Sequence, residues 1–166
     1  MKNILFTLAL LVSFSSFGQT AKEYFINAYE KSKNEDPYGA ISDYTKAIEI
    51  RPNDAETYNN RGFSKNILED YYGAIADFNK AIELNPNYAM AYYNSGLAKS
   101  NLKDYYGAIS DYTKAIELDP DDTNAYVNRG IAKELIGDMN GACADWKKAA
   151  NLGHTNASKW VANQCN

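Results

Sequence analysis

The feature that most constrains the fold of this chain is an internal period of 34 residues. Four Gly-Ala pairs recur at that spacing, beginning at Gly39, Gly73, Gly107 and Gly141. The stretch YYGAIADFNKAIELNP at Tyr71–Pro86 returns almost unchanged as YYGAISDYTKAIELDP at Tyr105–Pro120. A fixed period of this length, without insertions, is typical of a stack of identical supersecondary units. The repeated part divides into units 21–54, 55–88, 89–122 and 123–156, followed by the remainder 157–166.

Each unit is predicted to form two helices. In the second unit the apolar and small residues recur at spacings of three and four, first around Gly62 and then from Ala74 to Ile82. An aspartate precedes each second helix, where its carboxylate can cap free N–H groups: Asp36, Asp70, Asp104 and Asp138. Pro37 suits a first helical position. A proline is expected to stop each of three second helices: Pro52, Pro86 and Pro120.

These positions resemble the signature of the tetratricopeptide repeat. The second unit carries it as Tyr58, Gly62, Ala74, Phe78, Ala81 and Pro86, and the third as Tyr92, Gly96, Ala108, Tyr112, Ala115 and Pro120. The first unit has Ala28 in place of the glycine, and the fourth has His154 in place of the proline. The resemblance covers Ala21–Asn156 and implies an all-α, right-handed superhelical solenoid of about four helix-turn-helix units, with a capping helix at 157–166. The stretch ACADWKKAANLGHTNAS in the last unit also resembles the Sel1-like repeat.

The first 18 residues have the order of a secretory signal peptide, with Lys2, an apolar run from Ile4 to Phe14 and small residues before an expected cleavage after Gly18. A retained membrane anchor is the alternative, but the apolar run is shorter than the ~20 residues of a spanning helix. The sequence therefore predicts an exported, periplasmic or secreted, bacterial protein without a stable membrane span after cleavage. Its acidic balance of 17 bases and 21 acids disfavours nucleic acid as a partner.

Two cysteines, Cys143 and Cys165, are a candidate disulfide in an exported chain. Cys143 occupies the place that isoleucine holds in the other units, a helix position expected to face the capping segment that carries Cys165. The alternative is a pair of buried thiols that act as small apolar fillers.

No catalytic or metal site and no cofactor are predicted. The sequence contains no glycine-rich phosphate loop, no metal-ligand spacing of His and Cys, and no nucleophile with a base. The lone histidine, His154, is expected in a turn without a partner, and Asp119–Asp122 is interpreted as a solvated turn. Acid and base triplets on the second helices, such as Asp43, Lys46 and Glu49, are predicted to form the solvated outer face.

In tetratricopeptide proteins the first helices line a concave groove that binds peptides or partner surfaces, so the resemblance implies a groove at matching positions. These are Phe25, Tyr29, Asn59, Asn60, Phe63, Tyr93, Asn94, Leu97, Val127, Asn128 and Ile131. The recurring asparagines could donate to and accept from a bound backbone, beside a recurring apolar stripe. The alternatives are surface asparagines without a ligand and ordinary helix packing of the stripe.

One known groove chemistry is disfavoured. Tetratricopeptide domains that clamp the carboxylate of heat-shock chaperones use Lys and Arg in the groove, whereas the matching places here hold Phe25, Met90 and Asn94. The predicted function is a non-catalytic scaffold that binds a protein or peptide in the cell envelope. The alternatives are self-association through an uncapped end and an accessory subunit that presents a substrate to an enzyme.

Overall fold

A computed structural model describes residues 20–165, which contain nine helices and no strand. The helices are α1 (residues 20–33), α2 (Pro37–Ile50), α3 (Ala55–Ile67), α4 (Tyr71–Leu84), α5 (Ala89–Asn101), α6 (Tyr105–Leu118), α7 (Thr123–Leu135), α8 (Met139–Asn151) and α9 (Thr155–Gln164). The predicted signal peptide lies outside the described residues. Within them, no helix has the length and apolar character needed to cross a membrane.

The helices stack in pairs along one direction. The most extensive contacts join α3 to α4, α5 to α6 and α7 to α8, and each second helix also contacts the first helix of the next unit. The first helices touch one another directly, α3 with α5 and α5 with α7. We call the face formed by α1, α3, α5 and α7 the inner face. The predicted all-α solenoid of about four helix pairs is confirmed, with α9 packed on α8 as its end.

Aspartate caps set where the second helices begin, as predicted. The carboxylates of Asp36, Asp70, Asp104 and Asp138 each accept a hydrogen bond of 2.9–3.0 Å from a backbone N–H in the first turn. Pro37 occupies the start of α2, and helices α2, α4 and α6 end two residues before their prolines. The residue before each cap has a positive φ, between 59° and 86°, at Glu35, Glu69, Lys103 and Gly137. Glycine normally favours this conformation, and three of the four turns use another residue.

The two helices of a pair approach at a glycine. A Cβ added to Gly62 or Gly96 would lie 2.7 Å from the ring of Phe78 or Tyr112, and one added to Gly130 would lie 2.4 Å from the ring of Trp146. These rings are almost fully buried. The expected close packing of a small residue against an aromatic wedge is therefore present in three units.

The prediction that the acidic triplets form a solvated outer face is wrong for their aspartates. Asp43 and Asp77 are buried, and each second-helix aspartate pairs with cations of its own unit's first helix. Asp77 accepts two hydrogen bonds from Arg61, at 2.9 and 2.6 Å, and lies 2.7 Å from the Lys65 ammonium. A buried carboxylate is tolerated because these donors satisfy it. Lys80–Glu83 and Lys114–Glu117 are the exposed pairs of the outer face.

Arginines of two units also bind the unit before them. Arg61 donates to the Thr45 hydroxyl at 3.1 Å, and Arg129 donates to the Thr113 hydroxyl at 3.0 Å. Each arginine thus links its own aspartate to the preceding second helix. Ser95 holds the corresponding place in the third unit and donates only to Asp111, at 2.6 Å.

The last helix begins at Thr155, two residues before the predicted capping segment. His154 caps it, because its Nδ1 accepts a 3.1 Å hydrogen bond from the Ala157 N–H, so the expectation of a histidine without a partner is wrong. The Trp160 ring lies 5.5 Å from the Trp146 ring, centroid to centroid. Cys143 and Cys165 form a disulfide with Cα atoms 5.6 Å apart, which ties the end of α9 to α8.

Candidate functional site

One open part of the inner face lies between the first two units. The side chains of Tyr29 and Phe63 are 46% and 43% exposed, although both are large and aromatic. They border a cleft of about 340 Å³, lined by Tyr29, Ser32, Lys33, Tyr44, Asn60 and Phe63. We call this space the aromatic cleft. It brings together three of the residues that the sequence placed in a groove: Tyr29, Asn60 and Phe63.

The sequence interpretation missed the other three lining residues. Ser32 and Lys33 lie one helical turn after Tyr29, and this i, i+3 and i+4 spacing was the signal that could have found them. Tyr44 comes from the second helix, α2, and reaches the cleft from the core. Its position as the aromatic wedge of the first unit gave no indication that it would also line a cleft.

The cleft combines aromatic walls with a few polar groups. The Lys33 ammonium lies 5.2 Å from the centroid of the Tyr29 ring, within the range of a cation–π contact. Burial raises the pKa of Tyr44 to about 12, so its hydroxyl stays neutral at ordinary pH. The Oδ1 of Asn60 accepts a 3.2 Å hydrogen bond from Asn59, and within residues 20–165 the structure records no hydrogen bond from the Asn60 amide nitrogen. The cleft can therefore hold an apolar side chain, and the Asn60 amide nitrogen can donate to the backbone beside that side chain.

Phe25 belongs to the core of the first unit more than to the cleft. Its ring packs edge-on against Tyr44, with centroids 5.7 Å apart, in a cluster with Ala28 and Ala40. Phe25 thus packs against Tyr44, which lines the cleft, and does not line the cleft itself.

Further along the inner face, the predicted amides bond between units. The buried Asn94 donates a 3.0 Å hydrogen bond to the Oδ1 of the buried Asn59, and this bond joins α5 to α3. Asn128 donates to the Tyr93 hydroxyl at 2.9 Å and joins α7 to α5. Neighbouring first helices approach so closely that these groups satisfy each other. The proposal that Asn94 presents its amide to a ligand therefore does not fit the structure.

The apolar stripe also becomes more buried toward the last units. Of its later members, Leu97 is half-buried and Ile131 packs against the core around Trp146, and Val127, another predicted groove residue, is buried. For this half of the stripe, the alternative of ordinary helix packing fits the structure. The 35-residue separation of Asn59 and Asn94 was the sequence signal for these contacts between units. A residue that follows by one period plus one position lies on the neighbouring first helix.

A second cleft, of about 390 Å³, lies where the third unit meets the fourth. It is lined by Met90, Tyr93, Asp119, Asp121, Asp122, Thr123 and Asn124. Burial and the nearby Asp122 raise the pKa of Tyr93. Asp122 caps α7 by accepting from the N–H groups of Asn124 and Ala125, at 2.9 and 3.2 Å. No group of three or more His, Cys, Asp or Glu side chains within residues 20–165 is placed to hold a metal ion.

Comparisons with known proteins agree with this architecture. The family model described as "Tetratricopeptide repeat" matches residues 55–88 and 89–122. A crystal structure of MamA is 28% identical, with a TM-score of 0.78 over 83% of this chain and 81% of that one. A MamA fragment from Desulfovibrio magneticus RS-1 is 23% identical, with a TM-score of 0.81 over 87% of this chain and 83% of that one, and shows the shared fold alone.

A third similar structure is the first tetratricopeptide domain of Spaghetti (RPAP3), bound to the HSP90 peptide SRMEEVD. It is 26% identical, with a TM-score of 0.71 over 72% of this chain and 95% of that one. No curated protein sequence matches the chain significantly. The likeness of the last unit to a Sel1-like repeat stays a prediction. The chain therefore contains tetratricopeptide repeats at residues 55–122, and the helix pairs on either side of them stack in the same way.

Proposed function

We propose that the protein is a non-catalytic scaffold that binds a peptide segment of a partner protein on its inner face, centred on the aromatic cleft. The observation that carries this proposal is that Tyr29 and Phe63 remain nearly half exposed on the face formed by the first helices. Exposed aromatic residues around a concave site are typical anchors of protein interfaces. The cleft between the first two units is therefore the expected contact centre.

The chemistry of the cleft favours one apolar side chain in an extended or helical peptide. Tyr29 and Phe63 would enclose that side chain, and the Asn60 amide would bond to its backbone. A volume of about 340 Å³ is at the lower end of small-molecule pockets, so the cleft suits one or two side chains. The rest of the inner face would add contact area without further deep anchors.

The structure of Spaghetti (RPAP3) with an HSP90 peptide supports peptide binding by a domain of this architecture. The present chain differs at the places where a carboxylate clamp requires cations. Phe25 is partly buried, Met90 is exposed and Asn94 is buried in an inter-unit hydrogen bond. We therefore propose an apolar anchor as the main determinant of this site.

We also propose that the protein is exported to the periplasm or secreted. The signal-like segment at residues 1–18 motivates this placement, and the Cys143–Cys165 disulfide supports it because such bonds persist in oxidising compartments. Self-association and an accessory role beside an enzyme are the alternatives. Light scattering against concentration tests the first, and co-purifying activity tests the second.

The cleft is tested by selecting peptides against it. A displayed library of random 12-residue peptides is panned on the whole protein, and the affinities of the enriched peptides are measured by fluorescence anisotropy. We expect the double variant Tyr29→Ser/Phe63→Ser to bind at least about tenfold more weakly, since aromatic anchors dominate such interfaces. Glu83→Ser is the control, because it changes an exposed side chain of α4 outside the inner face.

Two results would contradict the proposal. One is that every enriched peptide binds the wild type and a folded double variant with the same affinity. The other is that Glu83→Ser weakens binding as much as the double variant does.

A further inference from the structure

Three exposed tyrosines recur at the same helical position outside the inner face. Tyr38, Tyr72 and Tyr106 are each the second residue of a second helix, and they are 74%, 77% and 74% exposed. Within residues 20–165 the structure records no hydrogen bond or ring contact that uses their side chains. The fold therefore gives no reason for a large aromatic residue at these positions.

The three tyrosines share one edge of the solenoid. Each unit is an antiparallel helix pair with a short turn, and the pairs stack in sequence, so the turns within units all lie on the same side. We call this side the turn edge and define it as residues 33–38, 67–72, 101–106 and 135–140. Ile67, Leu135 and Met139 are also exposed there.

The turn edge is acidic. The turns at 33–36, 67–70, 101–104 and 135–138 contain six acids and two bases. The acids are Glu35, Asp36, Glu69, Asp70, Asp104 and Asp138, and the bases are Lys33 and Lys103. All eight are exposed, so the carboxylates lie in solvent beside the tyrosine row.

We propose that the turn edge is a second interaction surface and binds a basic, extended segment of a partner protein. Lys and Arg cations are attracted to the faces of aromatic rings, and the neighbouring carboxylates can pair with the same groups. A regular row of rings suits a segment whose cations recur along an extended backbone. None of the three tyrosines lines the aromatic cleft, although the two surfaces share Lys33.

The negative charge of the turn edge also disfavours two other partners for this surface. A second copy that docked by its own turn edge would bring two acidic edges together, which is unfavourable. A purely apolar partner would desolvate exposed carboxylates without pairing them. The basic segment is the occupant that satisfies both the rings and the carboxylates.

Two fluorescein-labelled ten-residue peptides test the proposal, one of alternating Arg and Ser and one of alternating Glu and Ser. Fluorescence anisotropy measures their binding to the whole protein in dilute buffer and in about 0.5 M salt. The electrostatic screening length in this salt is about threefold to fivefold shorter than in dilute buffer. We expect the Arg-Ser peptide to bind in low salt and the Glu-Ser peptide not to bind. The triple variant Tyr38→Ser/Tyr72→Ser/Tyr106→Ser should bind the Arg-Ser peptide at least about tenfold more weakly, although its charge is unchanged.

Three matched variants separate the rings from bulk acidity and from the cleft. The triple Tyr→Phe variant keeps the rings and should retain the wild-type affinity, and Glu35→Gln/Glu69→Gln should weaken binding. Tyr29→Ser/Phe63→Ser should leave binding of the Arg-Ser peptide unchanged. Circular dichroism melting checks the fold, and the single variant Tyr72→Ser replaces the triple variant if the latter is unfolded.

The proposal is overturned if removal of the rings leaves the affinity unchanged, because general acidity would then explain the binding. Equal binding of the Glu-Ser peptide, or loss of binding in the cleft variant, would also overturn it. So would failure of the wild type to bind the Arg-Ser peptide. Dimerisation that the Tyr→Ser variants abolish, measured by sedimentation, would assign the turn edge to contacts between copies instead.

Discussion

At the scale of single residues, a glycine packs tightly against an aromatic ring in three of the four helix pairs. Gly96 approaches the Tyr112 ring so closely that an added Cβ would lie 2.7 Å from a ring carbon. We predict that Gly96→Ala lowers the free energy of unfolding by about 1–3 kcal/mol through overpacking. Alanine normally stabilises an exposed helix relative to glycine, so the sign of the change reports the contact.

Urea unfolding measures this effect, and Ser110→Ala at an exposed position of α6 is the control. The control should change stability little. A Gly96→Ala protein as stable as the wild type would show that the ring moves aside at no cost.

A second prediction at this scale concerns the buried carboxylates. Lys31 donates a 2.6 Å hydrogen bond to Asp43, and this bond lowers the pKa of Asp43 below its ordinary value. The folded state then binds the proton less tightly than the unfolded state. The resulting stability is present above the ordinary aspartate pKa of about 4 and is lost as the pH falls through the lowered folded pKa.

We expect Asp43→Asn to cost about 1 kcal/mol at pH 7, a modest value because Lys31 is partly exposed. The difference from the wild type should close as the pH falls below about 4. Urea unfolding at a series of pH values checks this, with Glu83→Gln from an exposed pair as the control. A penalty for Asp43→Asn that is independent of pH would contradict the assignment.

Local sequence signals predicted the side chains that bond within one helix turn, and they missed the side chains that pair with another helix. The four aspartate caps follow from their position before a helix. The burial of Asp43 does not follow from its spacing to Lys46 and Glu49, because each step of three residues turns about 60° around the helix axis. Such a set spans about 120°, and only the packed structure shows that its aspartate end faces the first helix.

At the scale of elements, the last helix depends on the disulfide. Helix α9 has 10 residues, too few to be stable alone in water. The Cys143–Cys165 bridge encloses a sequence separation of 22 residues and joins the far end of α9 to α8. We predict that Cys143→Ser/Cys165→Ser lowers the free energy of unfolding by about 2–4 kcal/mol.

Urea unfolding and hydrogen exchange test this prediction together, because the amides of α9 should lose protection before those of α5. Ala144→Ser, at an exposed position of α8, is the control. Alkylation of both thiols in the native wild-type protein, detected by intact mass, would show that the bridge is absent.

The element boundaries were largely predictable because turn residues mark them. Aspartate precedes each second helix and proline follows three of them. The repeat period then predicts the helix bounds in units where these signals are weaker. The start of α9 was misplaced by two residues because His154 is an uncommon cap. The left-handed residues Glu35, Glu69 and Lys103 gave no sequence signal, since glycine is the usual residue for that conformation.

At the scale of the whole molecule, the repeats are similar in architecture and unequal in exposure. Between the later units, the Asn59–Asn94 and Tyr93–Asn128 hydrogen bonds tie the first helices together. Between the first two units the aromatic cleft stays open. The resemblance to a repeat family predicts a groove. It does not predict which end of the groove is open, because the exposure of each side chain depends on its neighbour in the next unit.

The most direct test of the account is a map of where a selected peptide binds. Backbone amide resonances of ¹⁵N-labelled protein are followed by nuclear magnetic resonance as an enriched peptide is added. The account predicts that the perturbed amides cluster on α1 and α3, around Tyr29, Asn60 and Phe63. Perturbations confined to the outer faces of α4 and α6, or to the turn edge, would contradict it.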